Sequence, residues 1–196
     1  SYQHISISST LNSHRHSSSA LRMDTTYLSP HNTETHKYTG PLAVVRYEGE
    51  RNSDSQMHGQ GKVLFANGGT YEGEFRNDML QGEGTMADPT GVQVYTGGWL
   101  ADARCGYAVF TYEGGKYEGH YVNNKRHGEG KETTMGNTFQ GLYQEGEFTS
   151  GRVCYSNGDI YVGQMRDDCR HGRGRFLSME GVEQAGMWEE DVFVGV

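Results

Sequence analysis

Aromatic and small residues alternate with polar residues in short segments along most of the chain. The segment Tyr71-Glu72-Gly73-Glu74-Phe75 is representative, with glutamates between the aromatic and glycine positions. Because successive side chains of a β-strand point to opposite faces, this pattern predicts a strand with both rings on one face and both glutamates on the other. Turn-forming residues such as Asn123-Asn124 follow such segments. The pattern therefore predicts β-hairpins.

The hairpin pattern recurs along the chain, and its copies start 22 to 24 residues apart. A Gly-x-Gly signature follows about eleven residues into most copies, as at Gly82 and Gly84. A fixed period of this length is typical of repeat proteins. We predict a repeat domain over residues 45–196, preceded by an irregular arm over residues 1–44. The copies start near Tyr47, Tyr71, Tyr95, Tyr117, Phe139, Tyr161 and Gln184, and the last copy is truncated.

The second strand of each hairpin combines glycines with larger residues on one face, as in Gly82, Gly84 and Met86. Glycine is a weak strand former. We expect it here because the aromatic rings of neighbouring strands lie across the gaps that glycine leaves. The fifth copy has Ser150 and Arg152 in place of the two glycines, so irregular stacking is expected around residues 144–153.

Composition argues against a thick apolar core. Hydrophobic residues make up 34% of the chain, 29 residues are glycine, and the mean hydropathy is -0.77. The 13 Tyr, 7 Phe and 2 Trp can each bury a large area from a nearly flat surface. Composition thus favours a thin sheet with aromatic side chains along one face, and the repeats predict an all-β sheet of about thirteen strands.

Charge narrows the classes of partner. Three of the 17 basic residues and two of the 25 acidic residues precede residue 45, which leaves 14 basic and 23 acidic residues in the repeats, a net charge of -9. Such a surface disfavours nucleic acid and anionic lipid. Cys105, Cys154 and Cys169 form no paired motif, which favours a reducing compartment. No apolar run approaches the roughly 20 residues of a membrane-spanning helix.

Two motifs could suggest a ligand-binding site, but the position of both is explained by the repeat. Gly-x-Gly never extends to a phosphate-loop motif, and it recurs with the period of the repeat. His58, His127 and His171 hold equivalent places in copies one, four and six. Successive hairpins lie about 9.6 Å apart, whereas the ligands of one zinc ion lie about 2.0–2.3 Å from it. We therefore expect no cofactor, no metal and no catalytic residues.

The copies over residues 45–196 resemble MORN repeats, whose pattern is roughly Tyr-Glu-Gly-x-Trp/Phe, a short turn and His-Gly-x-Gly. Three positions depart from it: Arg51 and Met165 replace an aromatic residue, and Glu132 replaces an apolar one. The resemblance implies an elongated, single-layer, twisted antiparallel sheet with an aromatic-lined groove. It also implies a non-catalytic scaffold or adaptor of cytoskeletal, ciliary or membrane-junction assemblies.

We accordingly expect a protein of the cytoplasm and cytoskeleton, located in the axoneme of a cilium or flagellum. Two alternatives stay open, a peripheral membrane tether associated with phospholipid and a regulatory subunit of an enzyme. Because a single-layer sheet has no second layer to cover its rings, we expect the ring rims to be accessible to protein partners. The predicted partner-binding residues are Tyr71, Phe75, Tyr95, Trp99, Tyr117, Tyr121, Phe139, Tyr143 and Tyr161.

The arm differs from the repeats in composition. It has clustered serines, five of the nine histidines, and no acidic residue before Asp24. It holds too little apolar surface to fold alone. Two hypotheses for it are binding to a partner and binding along the groove of its own repeats. Its first 22 residues weakly resemble a mitochondrial transit peptide, although Arg15 and Arg22 are few for one.

Overall fold

The computed structural model describes residues 42–196, which form one open antiparallel sheet of 14 strands in sequential order. The predicted all-β class and single-layer sheet are confirmed, with 14 strands against about thirteen expected. Within residues 42–196 no α-helix is present, and no helix is long and apolar enough to span a membrane. The hypotheses on the N-terminal arm fall almost wholly outside the described residues.

The strands form seven consecutive hairpins, one for each predicted copy. The bounds are β1 Val44–Arg51, β2 Met57–Phe65, β3 Thr70–Arg76, β4 Met79–Ala87, β5 Val94–Leu100, β6 Ala103–Tyr112, β7 Gly115–Val122, β8 Lys125–Thr134, β9 Asn137–Gln144, β10 Glu147–Cys154, β11 Ile160–Arg166, β12 Cys169–Leu177, β13 Glu183–Glu189 and β14 Val192–Gly195.

Two-residue turns close most of the hairpins. In Asn77-Asp78 the φ angles are 50° and 65°, and in Asn123-Asn124 they are 48° and 69°. Two successive positive φ angles define the turn whose twist matches that of the flanking strands, and Asn and Asp tolerate this backbone best after glycine. Asn or Asp occupies five of these six turns and thus sets both the hairpin and its twist.

The second residue of four of these turns also fastens its hairpin to the preceding one. The Asp102 carboxylate accepts a hydrogen bond from the Leu80 amide at 2.7 Å, and the Asp102 amide donates to the Leu80 carbonyl at 3.1 Å. Asn124 makes the same pair of bonds with the backbone of Arg104, at 2.9 and 3.1 Å. Such a turn therefore closes one hairpin and fixes its position on the preceding hairpin. Asp78 with Met57 and Asp191 with Arg170 repeat the arrangement.

The core is a line of rings along one face of the sheet. In β3 the buried positions are Tyr71, Gly73 and Phe75, as the alternation predicts. Rings from neighbouring hairpins meet edge to face, with 5.6 Å between the ring centres of Tyr71 and Trp99 at an interplanar angle of 88°. Such pairs add about 0.5–1.5 kcal/mol beyond the area that they bury. Ring contacts of this kind continue the core through the first five repeats and again between the last two.

The second glycine of Gly-x-Gly behaves as predicted. A Cβ atom on Gly84 would overlap the ring of Tyr71, whose hydroxyl crosses the glycine and donates to the Glu74 carbonyl at 3.1 Å. The first glycine has another role, which corrects the prediction that both leave room for rings. Gly82 has φ +60° at a register shift, and its Cβ would meet the Glu74 side chain. Glycine is needed at this position because the β-bulge requires a left-handed backbone conformation.

The fifth copy stays in the sheet. Gly141 pairs with Gly151, so Gly151 takes the place of the second glycine of Gly-x-Gly. The repeat pattern expects that glycine one residue later, at the position of Arg152. The irregularity predicted around residues 144–153 is confined to a register shift between Phe148 and Ser150, inside otherwise paired β9 and β10. The bulge of this copy is one residue shorter than in its neighbours and lacks the left-handed glycine, but the sheet stays unbroken.

Candidate interaction surface

The structure brings the nine predicted partner-binding residues together on the aromatic face and buries most of them. Eight are between 0% and 3% exposed, and Phe139 is half-buried. The expectation that the ring rims stay accessible is therefore wrong for these eight. Burial raises the pKa of Tyr161 to about 12, as expected for a phenol removed from water. Whether this face binds a partner stays a prediction.

Long side chains from the start of the second strands cover the rings. The Arg104 guanidinium lies 5.5 Å from the Tyr95 ring centre and 5.1 Å from that of Tyr121. Arg126 lies 4.6 Å from the ring centre of Tyr117, and Arg170 lies 4.2 Å from the Trp188 ring. A cation over an aromatic face is attracted by the negative ring centre. Long side chains of the sheet itself thus cover its aromatic face.

The sequence analysis missed these covering residues, although they recur at one position, two residues before the first glycine. Met57 and Leu80 hold that position in the first two copies, and both are buried. A long side chain at this position, apolar or cationic, is the feature that a comparison of the copies would have revealed.

Glu132, a departure from the repeat pattern, is explained by the same cover. Its carboxylate pairs with Arg126 at 2.8 Å and accepts a hydrogen bond from the Tyr112 hydroxyl. Both partners of the ion pair are largely buried, with 17% and 10% of their side chains exposed. Burial, followed by the hydrogen bond to Glu132, raises the pKa of Tyr112 well above its usual value. A buried charge needs such partners.

The opposite face, which we call the polar face, carries one outward side chain per strand in a continuous transverse row. From β1 to β12 the row is Glu48, Lys62, Glu72, Thr85, Thr96, Val109, Glu118, Lys131, Gln140, Arg152, Val162 and Arg175. An open depression of about 700 Å³ lies in this face between β6 and β10, lined in part by Tyr107, His120, Leu142 and Arg152.

Other candidate ligand groups do not converge. Across residues 42–196 no group of three or more His, Cys, Asp or Glu side chains lies close enough to hold a metal ion. His58, His127 and His171 each have a buried Nδ1 atom that makes no hydrogen bond in that range. The cysteines are unpaired and half-buried.

These features define a single-layer repeat protein built of consecutive β-hairpins. The sequence matches the MORN repeat family over residues 53–70, 71–93, 95–116, 117–138 and 161–181. These segments cover more than half of the chain, and the chain belongs to the MORN repeat family.

Alsin is among the similar curated proteins. The chain is 31% identical to Alsin of Mus musculus and of Homo sapiens over 165 residues, and 30% identical to that of Rattus norvegicus. The match covers 79% of this chain and 9% of Alsin, so the chain spans a small part of that protein's length. Among solved structures, the TCP domain of SAS-4 from Drosophila melanogaster, in complex with a proline-rich motif of Ana2, shares 11% identity. That match covers 76% of this chain and 83% of the other, with a TM-score of 0.29.

Proposed function

We propose that this chain is a non-catalytic scaffold that holds protein partners within a large cytoskeletal assembly, that of the axoneme of a cilium or flagellum. The observation that carries the proposal is the continuous sheet, in which ring contacts join the first five repeats to one another and the last two to each other. Repeat arrays of this kind present long binding surfaces whose shape is fixed along their length. A scaffold needs such a surface, and the family resemblance favours this role.

We place partner binding on the aromatic face. Phe139 is half-buried there and can contact a partner directly, as can the half-buried Tyr155 and Phe176 that pack against the same core. The buried rings act differently, by fixing the side chains above them. Arg126 and Arg170 are each 17% exposed at the rim of the cover, and Arg is frequent in binding hot spots. A partner would meet this mixed apolar and cationic surface.

The first experiment is crosslinking mass spectrometry on complexes purified from ciliated cells that express the full-length protein with a tag. We expect crosslinks to axonemal or other cytoskeletal proteins, and imaging should place the tag along the cilium. Tag fluorescence spread through the cytosol, with no recurrent crosslinked protein, would contradict the scaffold role. Flotation with phosphoinositide vesicles tests the membrane alternative, since co-flotation of the purified chain would favour a tether.

The second experiment tests the face. Phe139→Ala removes a half-buried ring, and Leu142→Ala on β9 is the matched control because Leu142 is 48% exposed on the polar face. Only the first variant should weaken recovery of the crosslinked partners, with the fold of both verified by circular dichroism. Equal recovery with Phe139→Ala and loss with Leu142→Ala would assign partner binding to the polar face instead.

A further inference from the structure

The charges of the polar face divide between its two ends. At the β1–β4 end the outward side chains include Glu48, Glu50, Glu72, Glu74 and Glu83. At the β8–β12 end they include Lys131, Arg152, Arg173 and Arg175. The middle strands carry mostly neutral residues. The face therefore has an acidic end and a basic end, although the repeats as a whole are acidic.

The cations of the basic end are available for a partner. Lys131, Arg152 and Arg173 are exposed, and within residues 42–196 none of the three pairs with a carboxylate. Most other cations do pair, such as Lys62 with Glu72 at 3.0 Å. Lys131 and Arg152 lie in one transverse row on strands about 9.6 Å apart, and Arg173 lies in the neighbouring row, so together they form a surface complementary to carboxylates.

The polar face itself provides carboxylates at that spacing, on β1 and β3. A two-fold axis between β6 and β7, parallel to the strands, places β12 of one copy opposite β1 of the other and β10 opposite β3. In the transverse row this places Arg175 opposite Glu48 and Arg152 opposite Glu72, so that each contact across the axis adds to an ion pair that Arg175, Glu48 or Glu72 makes within its own copy. In the neighbouring row the axis places Arg173 opposite Glu50. The positions of both residues in this row follow from hydrogen bonds across their strand pairs, from the Arg173 amide to the Gln164 side chain and from the Gln60 amide to the Glu50 carboxylate.

The same axis also brings exposed apolar side chains together. Leu64 on β2, 37% exposed, lies opposite Ile160 on β11 in the adjoining row, whereas Val162, 48% exposed, lies opposite Lys62. Tyr107 on β6, 58% exposed, lies opposite His120 on β7, its own cross-strand neighbour. The opposite charges thus lie towards the ends of the face, as in the polar rim of a protein interface. Arg46 and Lys62 at the acidic end and Glu129 at the basic end run against the pattern.

We infer that the polar face is an isologous dimer interface, in which two copies of this chain pack face to face and antiparallel. An interface between identical surfaces requires a self-complementary pattern, and a basic patch for some other acidic partner would not need a matching acidic end. Twelve strands at about 4.8 Å, by about 15 Å along the strands, give on the order of 900 Å² per copy, close to the roughly 800 Å² of a stable interface. The inference is independent of the proposed partner binding on the aromatic face.

The test is sedimentation velocity of the full chain at low and high salt. The wild type should be dimeric at low salt, and high salt should shift it towards monomer because exposed charges are screened. Arg152→Glu with Arg173→Glu reverses four contacts in a symmetric dimer, which should raise the dimer Kd by about tenfold or more. Arg76→Glu with Lys125→Glu, an equal charge change beside the hairpin turns, is the control and should leave the dimer intact.

A complementary variant separates interface loss from damage to the fold. Glu50→Lys with Glu72→Lys should also be monomeric alone, yet an equimolar mixture of the acidic and basic variants should form a heterodimer. A wild type that is monomeric at low salt overturns the inference. So does a dimer unaffected by Arg152→Glu with Arg173→Glu, or a mixture in which folded variants fail to associate.

Discussion

The contact of Tyr71 with Gly84 allows a direct test of why glycine is kept in these strands. Gly84→Val places a Cβ and two methyls where the ring and hydroxyl of Tyr71 lie. Overpacking of this kind costs about 1–3 kcal/mol. Displacing the ring also breaks the bond from the Tyr71 hydroxyl to the Glu74 carbonyl, worth about 0.5–1.5 kcal/mol. We expect a loss of roughly 2–4 kcal/mol in unfolding free energy, although valine is the better strand former.

The assay is urea unfolding followed by circular dichroism. Thr85→Val is the control, because Thr85 is the next residue of β4 and points to the polar face; it should change stability by less than about 0.5 kcal/mol. A double-mutant cycle of Gly84→Ala with Tyr71→Phe adds a second check, since the Tyr71 hydroxyl is the nearest atom to the added Cβ. If Gly84→Val is as stable as the wild type, or the two changes add without coupling, rings do not lie over glycines as described.

Three further predictions concern the cover, the phenols and the turns. Glu132→Ala should destabilise by about 3 kcal/mol because it leaves the largely buried Arg126 without its carboxylate, while Glu132→Leu combined with Arg126→Met should recover most of that loss in the same urea assay. The pKa of Tyr161 is about 12 in the folded protein and about 10 in the unfolded chain. Its contribution to folding stability is therefore fully present below pH 10 and is lost as the pH rises to about 12. An ultraviolet phenol titration in which all tyrosines of the folded protein ionise near pH 10 would refute this. Asp102→Asn should be nearly neutral, since Asn124 occupies the equivalent turn, whereas Asp102→Gly should keep the turn and speed hydrogen exchange at the Leu80 amide.

The strands and the buried positions could be predicted because both depend on short-range alternation. Tyr71, Gly73 and Phe75 share a face for a geometric reason that needs no knowledge of neighbours. The seven copies supply the strand order as well, because consecutive hairpins that cannot bury their faces alone pack on one another.

Two features depend on backbone conformation and on side-chain reach, which the alternation does not show. Gly82 and Gly84 look alike in sequence, yet only the register shift reveals that the first has positive φ. Likewise, Arg104 lies near the start of β6, and the polar pattern of the sequence predicts that such a charged residue is exposed to solvent. Its long side chain instead folds back over Tyr95, so that a cation completes the core.

The fifth repeat is where the sheet is held least firmly, because several of the shared contacts are missing together. It begins with Phe139, which has no hydroxyl to bond a carbonyl, and the Tyr143 hydroxyl is buried without a hydrogen bond within residues 42–196. Its turn ends in Gly146, whose amide bonds the Arg126 carbonyl but which has no side chain to accept the Arg126 amide. In a repeat array stability is set by contacts between neighbours, so such losses are not offset by distant repeats. Local opening should therefore begin at β9 and β10, and hydrogen exchange there should be faster than in β3 to β8. Uniform protection along the sheet would mean that ring contacts alone, such as that of Tyr117 with Tyr143, fasten the fifth repeat.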